Sequence, residues 1–407
     1  MIRIIHYREA QSLVARKTQR LEDAERVVAP ILEDVRREGD AALLAYARKF
    51  DGFEGASVRI PVHGTLEPEF GRAVRIADAN IREYARLQLP VEKMVEYPDG
   101  RKLGQIVRPL DSMGAYTPAG RYPLPSTLLM NLIPAQVAGV QTTCVACPHP
   151  SAEILGIAAW LGVTHFFQMG GAQAIAALAF GTETVPRVDR IVGPGNIYVA
   201  AAKKLIAGET GIDFVAGPTE IVIIAAEGNP EWLASDMLAQ AEHDVDASAI
   251  LFTTSRDLAN AVAEAMERQL HSLPTAAVAR QSIATNGAIV IVDSLEQAVE
   301  FSNSLAPEHL ALHDPALLGS IQSAGSVFLG PSSPEAAGDY ASGPNHVLPT
   351  SGQARLRGGL SAADFVKVIS VQELSPAALK SLAPAVTTLA RAEGLEAHAR
   401  SIEVRHG

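Results

Sequence analysis

The run Gln240-Ala241-Glu242-His243 carries the densest chemistry in the chain. It closes an amphipathic segment that starts near Glu231 and continues through Leu233, Met237 and Leu238, so a helix is expected there. Residues three apart share a helix face, which aims the Gln240 amide oxygen and a His243 ring nitrogen into one volume. The pair is either half of a metal site or an ordinary helical histidine near a polar neighbour. Two ligands cannot hold a tetrahedral ion, so a metal would need partners from elsewhere in the chain. Pro307-Glu308-His309 offers an acid–base pair, because imidazole is the side chain best matched to proton transfer near neutral pH. A turn after the proline lets both neighbours border one cleft. Asp339 lies in the Gly-, Ser- and Asn-rich run Gly338 to His346 and is a third ligand, or else a cap or ion-pair partner. Glu393 and His398 belong to a charged segment near the C-terminus, which reads as a solvated helix face unless other residues recruit it.

The elements that must position these side chains follow from periodicity. Leu21 to Phe50 is helical with a break at Gly39-Asp40, and a further helix spans roughly Glu67 to Lys93. One or two strands follow between Gly104 and Ala115. Then short apolar runs alternate with helices: helix Ser126–Val140, strand Thr142–Cys147, helix Ala152–Leu161, strand His165–Met169, helix Gln173–Phe180, strand Arg190–Val192, helix Ile197–Ile206. A second series runs through strand Ile221–Ala226, the helix bearing Gln240, strand Ala249–Thr254, helix Asp257–Leu270 and strand Ala288–Val292. Repeated βα winding predicts an α/β fold of two similar doubly wound units, with ligand sites at the carboxyl ends of strands and the N-terminal helices packed on the second series. The chain divides into a helical extension 1–20, a metal-bearing domain from 21–114 plus 220–355, a second domain 115–219, and a tail 356–407 that is helical from about Ser361. Two strand ends carry glycine-rich turns, Gly170-Gly171-Ala172-Gln173 and Gly193-Pro194-Gly195-Asn196. These are phosphate cradles backed by free helix N–H groups, or plain βα turns; the second lacks the third small residue of the dinucleotide fingerprint, having Tyr198 there.

The 407 residues, 48% apolar and 19% charged, make a globular chain with ample core. A net charge of −11 with no basic block argues against nucleic acid or an anionic membrane as partner. The N-terminus Met1 to Glu9 has charges where a signal core would be apolar, so a cytoplasmic location is expected. Tyr122 to Ala152 has no charged side chain, but Asn131, Pro134, Gln136 and Gly139 interrupt it, which favours helix–turn–strand over a membrane span. Cys144 and Cys147 sit three apart on an expected strand and so face opposite sides, which argues against a redox or zinc pair.

Taken together, the motifs resemble the histidinol dehydrogenase family, from about Glu22 to Arg405. Tyr116-Thr117-Pro118-Ala119-Gly120 through Pro125-Ser126-Thr127, the two glycine-rich turns, Gln240 to His243, Pro307-Glu308-His309 and Gly338-Asp339-Tyr340 through Asn345-His346 follow that family's order. The resemblance implies Rossmann-like domains of incomplete form in an intertwined homodimer with shared active sites. It implies NAD-dependent oxidation of L-histidinol through L-histidinal to L-histidine, with one Zn²⁺ per subunit. By the same resemblance Gln240, His243, Asp339 and the other subunit's His398 hold the metal, His309 is the base and Glu308 activates water. Tyr116, Gln173 and Asn196 match the NAD contacts. Thr219 stands where the family more often has serine and joins Glu393 and the metal ligands around the substrate, with His346 beside them. The competing readings are a relative acting on another polar alcohol, a zinc hydrolase without nicotinamide, and a non-catalytic binding protein.

Overall fold

The computed structural model describes residues 2–10, 13, 19–118 and 123–405. Ala119 and Gly120 of the first motif, and parts of the extension 1–20, lie outside the described residues. In chain order the elements are β1 (Ile4–His6), α1 (Gln19–Glu38), α2 (Asp40–Asp51), β2 (Arg59–Ile60), α3 (Pro68–Leu87), β3 (Lys93–Glu96), β4 (Arg101–Pro109), β5 (Ser112–Tyr116), α4 (Pro125–Ala138), β6 (Thr142–Ala146), α5 (Ala152–Trp160), β7 (His165–Phe167), α6 (Gly171–Phe180), β8 (Arg190–Val192), α7 (Ile197–Ile206) and β9 (Gly211–Ile212). There follow β10 (Glu220–Ile224), α8 (Pro230–Ala241), β11 (Ser248–Thr253), α9 (Arg256–Leu270), α10 (Ala276–Asn286), β12 (Ala288–Ile291), α11 (Leu295–Leu305), β13 (His309–Leu312), β14 (Ser326–Leu329), α12 (Glu335–Tyr340), β15 (Val366–Leu374), α13 (Pro376–Ala392) and α14 (Glu396–Glu403).

The fold is α/β with two mainly parallel sheets. One has the order β2-β7-β6-β5-β8-β9, parallel except for the short antiparallel edge strand β2. The other, β1-β12-β11-β10-β13-β14, is parallel throughout. Such strands are covered on both faces, which is why they read as unbroken apolar runs such as Ile221 to Ile224. In the first sheet Cys144 and Phe167 point to one helical layer, and Val145, Cys147 and Phe166 to the other. Burial pushes the two thiols up to about 12 and about 11, so both are inert core residues. The uncharged run is α4, started by Pro125 and closed by Gly139 at φ 97°, with Thr127 to Ala135 all buried. No described helix is long and apolar enough to cross a membrane.

Four expectations need correction. Helices α1 and α2 pack on α6 and α7 of the first sheet, and α3 packs on α4, so the N-terminal helices cover the first series and not the second. Their apolar stripes (Val28, Ile31, Leu32, Val35) fit the alanine-rich face of α6, a match invisible to periodicity alone. The helix from Glu67 stops at Leu87, before Pro90, and residues 93–96 form β3. The tail is not helical from Ser361: its β-branched run Val366, Val368, Ile369, Val371 forms β15, paired antiparallel with the whole of β4. Within the extension, Ile4–His6 forms the edge strand β1 against β12.

Candidate active site

Each parallel sheet has one point where the chain order reverses, between β5 and β8 in the first and between β10 and β13 in the second. Tyr116 ends β5, Asn196 follows β8 and Gln173 lies in the helix after β7, all at the carboxyl edge of the first sheet. Glu308 and His309 open β13 and Thr219 precedes β10, so in the second sheet the chemistry sits at the amino edge. This corrects the expectation of carboxyl-end sites throughout. The two edges are joined through His346, whose Nδ1 donates to the Asp339 carbonyl (2.7 Å) while Nε2 meets Thr127 Oγ1 of α4 at 3.3 Å.

Ala306 closes α11 in the left-handed conformation (φ 51°), and the turn delivers Glu308 and His309 into the sheet. Both are buried, at 6% and 3% exposed. Glu308 Oε2 accepts from Thr219 Oγ1 (2.5 Å) and from the Glu220 N–H (3.0 Å). Burial pushes its carboxyl up, against the pull of His309, Thr219 and that N–H. The His309 ring lies 3.8 Å from Glu308, 3.4 Å from Glu335 and 3.6 Å from Asp339. Burial alone would depress the imidazole, but Glu335, Glu308 and Asp339 outweigh it and raise its pKa to about 10.

Gln240 is fully buried at the end of α8. When its amide nitrogen faces Glu335, donating at 2.5 and 3.1 Å, its oxygen accepts from the Glu220 N–H (3.3 Å) and lies 2.7 Å from Thr219 Oγ1, whose single hydrogen this oxygen and Glu308 Oε2 must share. His243 lies just past the helix and is exposed. Its Nδ1 donates to the Ala239 carbonyl at 2.9 Å, which leaves Nε2 with the lone pair, the arrangement common to metal-binding histidines. Burial would raise Asp339, but His309, and more remotely His346 and His243, outweigh it and hold the carboxyl below its usual range.

His309, Glu335 and Asp339 present ligand atoms within 4.8 Å of one another, the one such group of His, Cys, Asp and Glu among the described residues. Of the four expected metal ligands, Asp339 belongs to this group, Gln240 touches it through Glu335, and His243 lies three residues past Gln240, exposed. His398 is not brought there within one chain: it is exposed on α14, beyond Glu393 at the exposed end of α13. A divalent cation fits the chemistry of the cluster. Glu308, Glu335 and Asp339 crowd one imidazole, and among the described residues no Lys or Arg pairs with any of them.

At the first sheet, Tyr116 is buried, its hydroxyl pushed up to about 12 by desolvation, and it accepts from the Gly171 N–H at 3.1 Å. Asp51 accepts from the Gly170 N–H (3.0 Å) and from Gln173 Nε2 (3.1 Å). Asn196 caps α7 through the N–H groups of Tyr198 and Val199. The N–H groups of Gly170, Gly171, Tyr198 and Val199, expected to be free for a phosphate, therefore already have protein partners. Gly193, at φ 114°, is required by the close approach of the chain, since a Cβ would meet the Tyr116 carbonyl. Below it Lys203 and Asp213 form a buried ion pair that also binds the Gly193 carbonyl and N–H.

Sequence reasoning missed Glu335, Asp51 and, on α8 one turn before Gln240, Asp236, whose charge acts on Glu335. Glu335 and Asp236 were findable: Glu335 precedes Asp339, and Asp236 precedes Gln240, by one helical turn on the same face. Asp51 reaches Gly170 from a helix far away in sequence, and no local signal announces it.

The sequence model of the histidinol dehydrogenase family matches residues 14–406. A histidinol dehydrogenase of Geobacillus kaustophilus is 48% identical over 399 residues, covering 94% of each chain. One from Geobacter sulfurreducens is 46% identical over 418 residues, covering 98% of this chain and 96% of its own. The crystal structure of histidinol dehydrogenase from Elizabethkingia anophelis superposes with a TM-score of 0.94 at 37% identity, over 99% of this chain and 98% of that one.

Proposed function

The chain belongs to the histidinol dehydrogenase family, NAD-dependent oxidoreductases of histidine biosynthesis, and on that footing we propose that it oxidises L-histidinol to L-histidinal and then to L-histidine at the Glu308–His309 centre. The observation that carries the reading is the buried convergence of His309 with Glu308, Glu335 and Asp339. Oxidation of an alcohol requires loss of the hydroxyl proton together with hydride from carbon. His309 is the group to take that proton: its pKa of about 10 belongs to the cluster without a cation, and a divalent cation beside Glu335 and Asp339 would lower it toward neutrality. The aldehyde must then add water before a second hydride can leave, and Glu308, whose Oε2 is held by Thr219 and the Glu220 N–H, is the base for that water. NAD⁺ supplies the hydride acceptor for each step, with Tyr116, Gln173 and Asn196 as its contacts. Gln240, His243 and Asp339, with His398 of a second copy in a homodimer, would hold Zn²⁺. That ion supplies Lewis-acid polarisation and an anchor for the substrate imidazole and amine. Glu393 of the second copy is assigned to the N–H groups of the substrate amine. Anchoring matters because the aldehyde must stay bound while NADH is exchanged for NAD⁺. Purified protein given NAD⁺ and L-histidinol is expected to form two NADH per L-histidine, and absence of turnover in zinc-loaded protein would remove histidinol as the substrate.

A further inference from the structure

The two nitrogens of His309 have opposite surroundings. Nδ1 faces only acceptors: the Glu220 carbonyl at 3.3 Å, Glu335 Oε1 at 3.4 Å and Glu308 Oε2 at 3.8 Å. Nδ1 therefore carries the hydrogen of a neutral ring. Nε2 is buried without a hydrogen-bond partner, its nearest carboxylate oxygen being Asp339 Oδ1 at 3.6 Å, beyond bonding distance. The base atom is thus Nε2. Of the two carboxylates beside Nδ1, Glu308 is committed to Thr219 and the Glu220 N–H. Glu335, 2% exposed at the first residue of α12, faces the ring on one side and the Gln240 amide nitrogen on the other. The ring plane is further braced by Phe328, with centroids 6.0 Å apart, and Gly338 leaves room for Phe328 where a Cβ would collide with it.

We propose that Glu335 is a positioning residue whose carboxylate fixes His309 as the Nδ1–H tautomer, so that Nε2 presents its lone pair to the substrate hydroxyl, while the same carboxylate holds the Gln240 amide. The role is that of the buried carboxylate behind a catalytic histidine: it orients the ring and stabilises the imidazolium that forms on proton transfer. It rests on the reading of His309 as the base. Glutamine at this position offers one acceptor to two donors, and the Gln240 amide nitrogen at 2.5 Å keeps it in preference to Nδ1–H at 3.4 Å, so the ring loses its partner. Aspartate keeps the charge but withdraws it by one methylene.

The test compares Glu335→Gln, Glu335→Asp, His309→Asn and the double variant Glu335→Gln/His309→Asn, each assayed for bound zinc, KM for histidinol and kcat. The His309 tautomer is read from ¹⁵N shifts of histidine-labelled protein, the signals assigned by their loss in His309→Asn. The expected result is full zinc content, a histidinol KM within about threefold, and a kcat lower by about 10²–10⁴-fold in Glu335→Gln, with a smaller loss in Glu335→Asp. The Nδ1–H form should lose population in Glu335→Gln, and the double variant should be no slower than His309→Asn alone. Unchanged kcat, zinc lost in step with activity, or multiplicative losses in the double variant would overturn the assignment. If Glu335→Gln does not fold, Glu335→Asp decides alone by the same split between kcat and KM. Full activity in His309→Asn would instead strike the underlying reading, an outcome distinct from the others.

Discussion

Replacing Lys203 with methionine tests how the first sheet holds its glycine-rich turn. The Lys203 and Asp213 side chains are 2% and 0% exposed, and their pairing is supported by Lys203 Nζ to the Gly193 carbonyl (3.0 Å) and by the Gly193 and Phe214 N–H groups to Asp213 (2.8 and 2.7 Å). Removing one partner of a buried pair costs roughly 3–5 kcal/mol, because the other charge stays buried. In Lys203→Met the stranded carboxylate keeps two backbone donors, so the loss falls near the lower figure, about 3 kcal/mol. In Asp213→Asn the stranded ammonium keeps one carbonyl and a distant place over the Phe214 ring, 5.9 Å from its centroid, so the loss is larger. The double variant strands no charge and forfeits mainly the bond to Gly193, about 1–2 kcal/mol, so it should be more stable than either single variant. Urea unfolding of the variants at constant m measures this directly. Because both backbone groups of Gly193 hang on the pair, KM for NAD⁺ should rise severalfold in Lys203→Met with KM for histidinol unmoved. A loss below about 1 kcal/mol in Lys203→Met, or losses that simply add in the double variant, would refute the reasoning.

Glu308→Gln should leave the first oxidation within about tenfold and slow the second by about 10²–10⁴-fold, so that the aldehyde accumulates with one NADH per histidinol; equal slowing of both steps contradicts the water-activating role. Chelation of the metal should abolish turnover and lower the melting temperature, since the buried Glu308 and Glu335 and the part-buried Asp339 would then share one imidazole; an unchanged melting temperature contradicts it. Burial raises the Asp236 carboxyl to about 6, above its unfolded value near 3.9, so the folded protein binds that proton more tightly. The resulting stability is present below the unfolded value and lost as pH rises through about 6, a deficit of about 1 kcal/mol at pH 7 after allowing for partial exposure. Asp236→Asn in metal-free protein should therefore match the parent near pH 4 and exceed it at pH 7, and a difference independent of pH would exclude this origin.

The βα rhythm from Ser126 to Val292 was legible because parallel strands buried on both faces read as apolar runs between helical stretches. Gln240, Glu308, His309 and Asp339 were legible as chemistry by residue type and spacing, yet their placement at the amino edge of β13 and β10 depends on which strands neighbour which. Periodicity does not carry that information. The packing of α1 on α6 and α7, and the pairing of β15 with β4 across more than half the chain, are tertiary choices that local propensity cannot rank. Asp51, seated under Gly170, belongs to the same class. Glu335 differs, since its one-turn spacing from Asp339 was visible and only its burial was not.

A catalytic centre that draws residues from two copies of the chain can be rebuilt by complementation between two inactive variants. His398→Ala and Asp339→Ala are each expected to be inactive and depleted of zinc. In a twofold dimer, equal mixing through dissociation and reassociation makes half the dimers mixed, each with one intact site, so about a quarter of the parental activity should return. No recovery from dimers demonstrably mixed, or full activity and zinc in His398→Ala alone, would contradict a shared centre.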